Sequence, residues 1–377
     1  MGEALRLDFY RRLLLRMLTT LAMSSAGSWT TAAQVGQSPV IVTRDNFVRA
    51  ETDFYFAQTV RSDGLGNLVH ARHMIPVDRQ VVVRMNRDTL YSSGVFDLAA
   101  GPVTITLPDP GRRYMSLQVI SEDQYTPLVV YAPGRYVIDE AQAGTRYAML
   151  VVRTLADPRR TDDMAAAHRL QDAIAVKQPR TGTFEVPDWD SASREAVREE
   201  LDALQRQRHF DPNRVFGTKR EVDPLAYLVG AAAGWGGLPR WAAVYEGSAV
   251  ARNDGKTVYR LTVDNVPVNG FWSISVYNRA GYFEKNELDA YSVNSLTAAR
   301  TADGAVTVQF GGCKRDILNC LPIMPGWNYD VRLHRPRRGV ERCLELPQTT
   351  AGRVTRQAHC WAAEVRFCAG SPTHSRC

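Results

Sequence analysis

Short segments in which apolar and polar residues alternate are the feature that most constrains the fold of this chain. Val103, Ile105 and Leu107 alternate with threonines, and the residues from Met115 to Val119 alternate in the same way. A period of two places one side of a strand against a core and the other side towards polar surroundings. Turns rich in proline and glycine follow at residues 108–111 and 132–134. Short alternating strands between such turns predict an antiparallel β-sandwich.

A second block of alternation lies nearer the C-terminus. Trp272, Ile274 and Val276 alternate with Ser273 and Ser275, and similar patterns recur at residues 306–310 and 329–333. Between the two blocks, apolar residues recur at three- and four-residue spacing, which is typical of amphipathic helices. The sequence therefore predicts a mainly β fold in which two antiparallel β-sandwich or jelly-roll domains are joined by a helical segment.

These patterns divide the chain into five segments. Residues 34–158 form the N-terminal sandwich with a leading helix, residues 159–250 form the helical bridge, and residues 251–336 form the C-terminal jelly roll. Residues 1–33 precede this body and residues 337–377 follow it. Both end segments differ from the body in composition, and we interpret them separately.

The N-terminal segment is typical of an export signal. Arg11 and Arg12 precede Leu13-Leu14-Leu15-Arg16, a modest apolar stretch and then the small residues Thr31-Ala32-Ala33. A charged region, an apolar region and a small-residue cleavage site are the three parts of a secretory signal. The paired arginines also fit the twin-arginine route, so Sec and twin-arginine export both remain open. We expect a periplasmic or secreted protein.

The basic charge of the chain does not indicate a nucleic-acid partner. The formal net charge is +6, of which residues 1–33 contribute +2 and residues 335–377 contribute +5, so the body carries −1. A nucleic-acid-binding protein concentrates basic side chains on a folded face, and this body has no basic excess to supply one. Mean hydropathy is −0.27, and no apolar run reaches the length that spans a bilayer.

The cysteines also lie near one end of the chain. Cys313 and Cys320 are disulfide candidates in an oxidising compartment, and two unpaired thiols are the alternative. The other four cysteines fall in residues 337–377, an atypical segment rich in arginine and cysteine. We expect this tail to be either an unrelated extension or the product of a reading frame shifted near Arg338.

Polar residues that follow an apolar strand form the candidate site. Asn86, Arg87, Asp88 and Tyr91 lie within one short segment, with Asp123 and Tyr125 expected nearby in space. Arg87 would bind an anion, while Asp88 and Asp123 would act in acid–base catalysis. Asn86, Tyr91 and Tyr125 would contact the ligand. The alternative is a structural turn in which asparagine and aspartate bind backbone N–H groups.

Two tryptophans and two histidines complete the candidates. Trp272 and Trp327 lie beside polar residues and would stack on a ligand, or else belong to the core. His70 and His73 would point to opposite faces of a strand, and no third ligand is evident, so we predict no metal site and no cofactor.

The chain resembles bacterial proteins that pair two domains of unknown function, numbered 1254 and 1214. The N-terminal resemblance rests on Asn86-Arg87-Asp88-Thr89-Leu90-Tyr91-Ser92, Phe96-Asp97-Leu98, Gly101-Pro102 and Arg113-Tyr114. The C-terminal resemblance rests on Pro267, Phe271-Trp272-Ser273, Tyr277, Tyr291-Ser292, Asp303-Gly304, Leu321-Pro322, Arg332 and Pro336. It covers about residues 45–335 and implies two β-sandwich modules joined by a helical segment. It implies no reaction, cofactor or catalytic residues.

Two classes of function remain open at this point. One is an enzyme of the cell envelope, a hydrolase or lyase that acts on a carbohydrate, a lipid or a small organic molecule. The other is a non-catalytic module that binds a ligand or takes part in assembly. The corresponding partners are a small-molecule or glycan ligand and a second copy of the chain.

Overall fold

The structure is a computed structural model that describes residues 38–80, 83–208, 210–211, 214–248, 250, 252–338 and 340. The predicted export signal at residues 1–33 lies outside the described residues, as does almost all of the tail at residues 337–377.

Eight strands of the described chain form the N-terminal sandwich. They are β1 (Val69–His70), β2 (Thr89–Asp97), β3 (Val103–Leu107), β4 (Met115–Ser121), β5 (Leu128–Tyr131), β6 (Gly134–Ile138), β7 (Tyr147–Leu155) and β8 (Ala175–Lys177). One sheet has the order β1-β2-β7-β4-β5 and the other β6-β3-β8, and every pairing is antiparallel. The alternating residues Ile105, Leu117, Val119, Leu150 and Val152 fill the core between the two sheets.

Within the described ranges, the C-terminal sandwich contains seven strands. They are β9 (Ala243–Ser248), β10 (Tyr259–Val263), β11 (Trp272–Tyr277), β12 (Ser292–Asn294), β13 (Val306–Phe310), β14 (Cys320–Leu321) and β15 (Asn328–His334). A four-stranded sheet has the order β12-β11-β15-β9, and a three-stranded sheet has the order β10-β13-β14. A disulfide joins Cys313 to Cys320, at the start of β14. The mainly β prediction is confirmed.

In the residues that the structure describes, five α-helices accompany the sheets. They are α1 (Phe47–Arg61), α2 (Glu140–Ala143), α3 (Thr161–Asp172), α4 (Ser191–Gln207) and α5 (Pro224–Gly234). Phe47, Ala50, Leu201, Val229 and Ala232 pack α1, α4 and α5 together. In addition, Phe56 of α1 packs on the five-stranded sheet. No helix in the described ranges has the length and apolar character needed to cross a membrane.

The predicted bridge at residues 159–250 is helical only in part. Within it, β8 pairs with β3, and β9 pairs with β15 along its whole length. The C-terminal sheet therefore begins at Ala243 and not at residue 251. Both strands are short, and their pairing depends on distant partners, so local periodicity could not identify them.

Candidate functional site

Asn86 closes a turn. Its side-chain oxygen accepts a hydrogen bond from the Asp88 backbone N–H at 2.9 Å. Its amide nitrogen donates to the hydroxyls of Thr89 at 3.2 Å and Tyr91 at 3.3 Å. An asparagine that binds the backbone N–H two residues later is an Asx turn. This geometry agrees with the alternative of a structural turn, and a contact between Asn86 and a ligand stays a prediction.

Arg87 and Asp88 connect the two sandwiches. The Arg87 guanidinium donates to the carbonyl of Ile75 and lies 5.0 Å from the ring centroid of Tyr291, and burial lowers the pKa of Arg87. Asp88 is fully buried and accepts hydrogen bonds from Ser292 Oγ at 3.1 Å and Asn294 Nδ2 at 2.9 Å. Arg87 is thus bound within the protein instead of forming an exposed anion clamp.

Asp123 and Tyr125 lie far from Asp88. Strand register pairs Thr89 with Leu155, whereas Ser121, just before Asp123, pairs with Ala148 at the other end of β7. Seven residues of strand separate these positions by roughly 20 Å. The expected cluster of Arg87, Asp88 and Asp123 is therefore not formed, because β4 runs antiparallel to β7 and carries Asp123 to the opposite end of the sheet.

At that opposite end, Asp123 belongs to a different cluster. Its carboxylate accepts from Arg49 Nη2 at 2.5 Å, while Tyr125 stacks on Tyr227 with ring centroids 5.0 Å apart. Nearby, Asp53 accepts from Trp189 Nε1 at 2.8 Å. Burial raises the pKa of Asp53 to about 7, and burial also raises the pKa of Glu122, its close neighbour.

Trp272 and Trp327 are core residues. Both are buried in the apolar core of the C-terminal sandwich, and Trp327 stacks on Phe310 with ring centroids 5.2 Å apart. These positions fit the alternative that both tryptophans belong to the core, although Trp272 also borders a cavity of about 390 Å³ with Val263 and Arg300. Stacking on a ligand stays a prediction. In the described residues, no group of three or more His, Cys, Asp or Glu side chains is arranged to hold a metal ion.

The four-stranded sheet of the C-terminal sandwich has a polar face that is buried. Strand register aligns Tyr245, Arg332, Ser273 and Asn294 in one row across its four strands. Ser275, Asp330 and His334 lie beside this row on the same face. Of these seven described residues, Tyr245 is half-buried and the other six are buried. Alternate residues point to the opposite face, which forms the apolar core.

The five-stranded sheet of the N-terminal sandwich has a matching polar face. Tyr91, Arg153, Ser116 and Tyr131 form one row across four strands, with Gln118 beside it. Arg153 is 6% exposed, and Ser116 and Gln118 are fully buried. We call the two polar faces, together with Asp88 and Tyr114, the polar layer.

Contacts between the sandwiches show that the two faces of the polar layer meet. Tyr114 packs edge-on against Phe271 and His334, with ring centroids 5.0 Å and 5.7 Å away, and Phe271 stacks on His334 at 4.2 Å. Arg84 forms an ion pair with Asp330 at 2.6 Å. The loop after α5 closes one side, because Gly236 and Gly237 accept hydrogen bonds from Arg153 and Gln118.

Several buried polar atoms of the polar layer have no hydrogen-bond partner. Within the described part of the chain, none is present for Asp88 Oδ2, Tyr131 OH, Ser273 Oγ, or His334 Nδ1 and Nε2, whereas the hydroxyls of Tyr114 and Ser116 lie close to each other. A buried polar atom left unpaired costs roughly 1–3 kcal/mol, so such atoms are rarely gathered in one place without a bound molecule or ordered water. These atoms come from both sandwiches.

The electrostatic field in the polar layer is positive. Burial, reinforced by the charges of Arg153 and Arg332, holds the pKa of His334 well below the usual range, so its imidazole is neutral. Burial alone lowers the pKa of Arg332, but Tyr277, Asp330 and Asp88 more than offset that effect and raise it. The polar layer can therefore offer charged donors, hydroxyls and a neutral imidazole to a bound molecule.

Alternating polar residues on two neighbouring strands mark the polar layer in the sequence, but their pattern does not show that this face is buried. Asp330, Arg332 and His334 occupy every second position of one strand, and Ser273 and Ser275 do so on its neighbour. A polar strand face ordinarily indicates solvent. Only the docking of the second sandwich turns these two faces into a buried site.

Two family models match separate segments of the chain. The family described as "Protein of unknown function (DUF1254)" matches residues 65–137, and "Protein of unknown function (DUF1214)" matches residues 242–338. No curated protein matches the chain. The order of the two domains agrees with the predicted pairing.

Two solved structures are similar to this one. The VPA0106 protein from Vibrio parahaemolyticus has 18% sequence identity and a TM-score of 0.58, over 78% of this chain and 94% of that chain. A putative uncharacterized protein from Burkholderia cenocepacia has 14% identity and a TM-score of 0.44, over 78% of this chain and 86% of that chain. The likeness to the Vibrio protein shows a shared fold.

Proposed function

This chain pairs a DUF1254 domain with a DUF1214 domain, and we propose that the pair binds a small polar molecule in the polar layer between its two sandwiches. The observation that carries this proposal is the set of unpartnered buried atoms contributed by both sandwiches. A bound molecule with several polar groups would satisfy donors and acceptors that neither sandwich satisfies alone.

The geometry favours binding over the hydrolase or lyase considered from the sequence. That hypothesis required Arg87, Asp88 and Asp123 to act on one substrate. Asp88 and Asp123 lie at opposite ends of the five-stranded sheet, and Arg87 is bound to Ile75 and Tyr291. General acid–base catalysis needs both groups within hydrogen-bond reach of the substrate.

We also propose that the protein acts outside the cytoplasm. The paired arginines, apolar stretch and small residues of the first 33 positions support export, and the Cys313–Cys320 disulfide suits an oxidising compartment. Cell fractionation should find the full chain in the periplasm or medium, and a chain with Arg11 and Arg12 replaced by lysine should stay inside if the twin-arginine route is used. Cytoplasmic retention of the unaltered chain would contradict export.

Ligand-observed NMR on the full chain tests binding in the polar layer. The probes are small polar molecules: glycerol, lactate, lactamide, benzoate and benzamide. We expect at least one of them to bind, and Ser273→Phe to abolish that binding because the larger ring would crowd the unpartnered atoms around residue 273. Thr262→Phe, on the exposed side of β10, is the matched control and should leave binding unchanged.

Folding of both variants is checked by circular dichroism and thermal unfolding. If Ser273→Phe does not fold, Ser116→Val provides a smaller change on the opposite face of the polar layer, and it should weaken binding. Probes that bind the wild-type chain and the folded Ser273→Phe variant equally would place the site elsewhere. The absence of binding by any probe would count against the proposal itself.

A further inference from the structure

We propose that the molecule bound in the polar layer carries a carboxylate, and that Arg153 is the residue that recognises it. This inference rests on the proposed function and adds the chemical class of the ligand. Its basis is the surroundings of Arg153 compared with those of the other buried arginines.

Arg153 is a buried cation held by neutral acceptors. Its Nη1 donates to Gln118 Oε1 at 2.7 Å, its Nη2 donates to the Gly236 carbonyl at 3.1 Å, and its guanidinium lies 5.4 Å from the ring centroid of Tyr91. Among the described residues, no carboxylate lies within ion-pair distance of it. A buried charge without a counter-ion is costly, and a bound anion would remove that cost.

The other buried arginines of the described chain each have a carboxylate. Arg194 contacts Glu51 at 2.7 Å, and Arg332 contacts Asp330 at 3.4 Å. The fold therefore supplies a carboxylate to each of these two arginines. Arg153 departs from that pattern, and it does so beside the unpartnered atoms of the polar layer.

The neighbours of Arg153 suit the same ligand group. Ser116 is its cross-strand partner, so the Ser116 hydroxyl lies next to it on the same face, close to the hydroxyl of Tyr114. The planar guanidinium of arginine matches the two oxygens of a carboxylate, and a hydroxyl donor can complete the contact.

The charges that face the polar layer favour a bound anion. Arg84, Arg153 and Arg332 lie there with Asp88 and Asp330, and Arg335 adds a further positive charge 4.5 Å from the ring centroid of Tyr131. A carboxylate would reduce this positive excess by one, and a phosphate monoester is the competing anion.

Matched pairs of probes test this inference by isothermal titration calorimetry with the full chain. Benzoate is compared with benzamide and lactate with lactamide, because each pair differs mainly in the negative charge. We expect the bound carboxylate to have at least about tenfold higher affinity than its amide, which is the usual gain from a charge-assisted hydrogen bond. Methyl phosphate is the competing anion and should bind more weakly than the carboxylates.

Variants then assign the preference to Arg153. Arg153→Gln should reduce the carboxylate-to-amide affinity ratio to about one, and Arg153→Lys should leave an intermediate ratio because the charge is kept and the planar fork is lost. Arg160→Gln, an exposed arginine in a surface ion pair, is the control and should leave the ratio unchanged. The wild-type comparison of carboxylate with amide does not depend on whether a variant folds.

The outcomes separate this inference from the proposed function. If amides bind as tightly as carboxylates, and Ser273→Phe abolishes both, the site remains and the carboxylate assignment is overturned. Tighter binding of methyl phosphate overturns the same assignment. If no probe binds, both proposals fail together.

Discussion

Asp88 accepts hydrogen bonds from Ser292 and Asn294 of the other sandwich and contributes to the negative charge near Arg332. A carboxylate in such a position has no access to water. Its removal would leave two donors unpaired and would weaken the field that stabilises a buried arginine. Buried hydrogen-bonded residues such as Asp88 therefore contribute to the stability of the contact between the two sandwiches.

Replacement of Asp88 by alanine should lower the free energy of unfolding by about 3 kcal/mol, because it leaves Ser292, Asn294 and Arg332 partly unpaired. Urea denaturation of the full chain measures this change. Asp78→Ala, at a position that is 82% exposed, is the control and should alter stability by less than about 0.5 kcal/mol. An equally small effect of Asp88→Ala would mean that the interdomain contact contributes little.

Asp53 should make the protein less stable as the pH rises towards 8, the opposite of the usual effect of an aspartate in an ion pair. Its pKa is about 7 in the folded protein and near 3.8 when unfolded, so the folded state holds the proton more tightly. The associated stability is fully present below pH 4 and is lost as the pH rises through 7. Glu122, whose pKa is also raised, acts in the same direction.

Unfolding free energies measured between pH 4 and pH 8 test this prediction. Asp53→Asn imitates the protonated carboxyl and keeps an oxygen that can accept from Trp189 Nε1. It should therefore flatten the profile and stabilise the protein at pH 8, on the order of 2 kcal/mol. Asp78→Asn should follow the wild-type profile, and a profile that is equally steep in Asp53→Asn would reject the assignment.

Among the elements, β2 is paired along both of its edges. One edge pairs with β7, and the other pairs with β1 and, through the Leu65–Val95 bridge, with the loop before β1. A Cβ atom added at Gly94 would lie 1.9 Å from the carbonyl oxygen of Asn67. The absence of a side chain at Gly94 permits this close approach of two backbone segments.

Gly94→Ala should lower the free energy of unfolding by about 2 kcal/mol or more, because the strand or the loop has to move. Thermal denaturation gives the change in Tm. Ser93→Ala, at the preceding position of the same strand, is the matched control and should have a small effect. A Gly94→Ala protein as stable as the control would show that the loop does not approach β2 this closely.

At the scale of the whole molecule, the two sandwiches share buried contacts instead of being tethered by a flexible linker. Tyr114, Phe271 and His334 stack across the boundary, and α1, α4 and α5 form one apolar cluster beside the N-terminal sheet. Independent domains ordinarily meet through small polar contacts that permit relative motion. The buried polar layer instead couples the two sandwiches.

The full chain should accordingly unfold in one transition. Differential scanning calorimetry should give a calorimetric enthalpy close to the van't Hoff enthalpy, and circular dichroism and tryptophan fluorescence should report the same midpoint. Tyr114→Ala removes aromatic contacts with Phe271 and His334 and should separate the midpoints of the two probes. Two resolved transitions in the wild-type chain would show that the sandwiches fold independently.

The sequence predicted the strands well where alternation is long, as at Val103–Leu107 and Trp272–Tyr277. It did not predict which residues lie close together when this depends on strands that are distant in the sequence. Asp123 was placed beside Asp88 because both follow strands, but the direction of β4 within the sheet sends it to the far end. Arg153 lies in a strand that is buried along its whole length. Its neighbours in the sequence do not show that it has no carboxylate partner, because that depends on residues distant in the sequence.

The loop at residues 235–238 has a consequence for how such a protein can change over evolutionary time. Its carbonyls at Gly236 and Gly237 hold Arg153 and Gln118 of the first sandwich, and Tyr245 of the second sandwich accepts from Leu238 N. A recombination event that exchanged either sandwich for a distant homologue would also have to bring a compatible loop. The two sandwiches and this loop should therefore be inherited as a single unit.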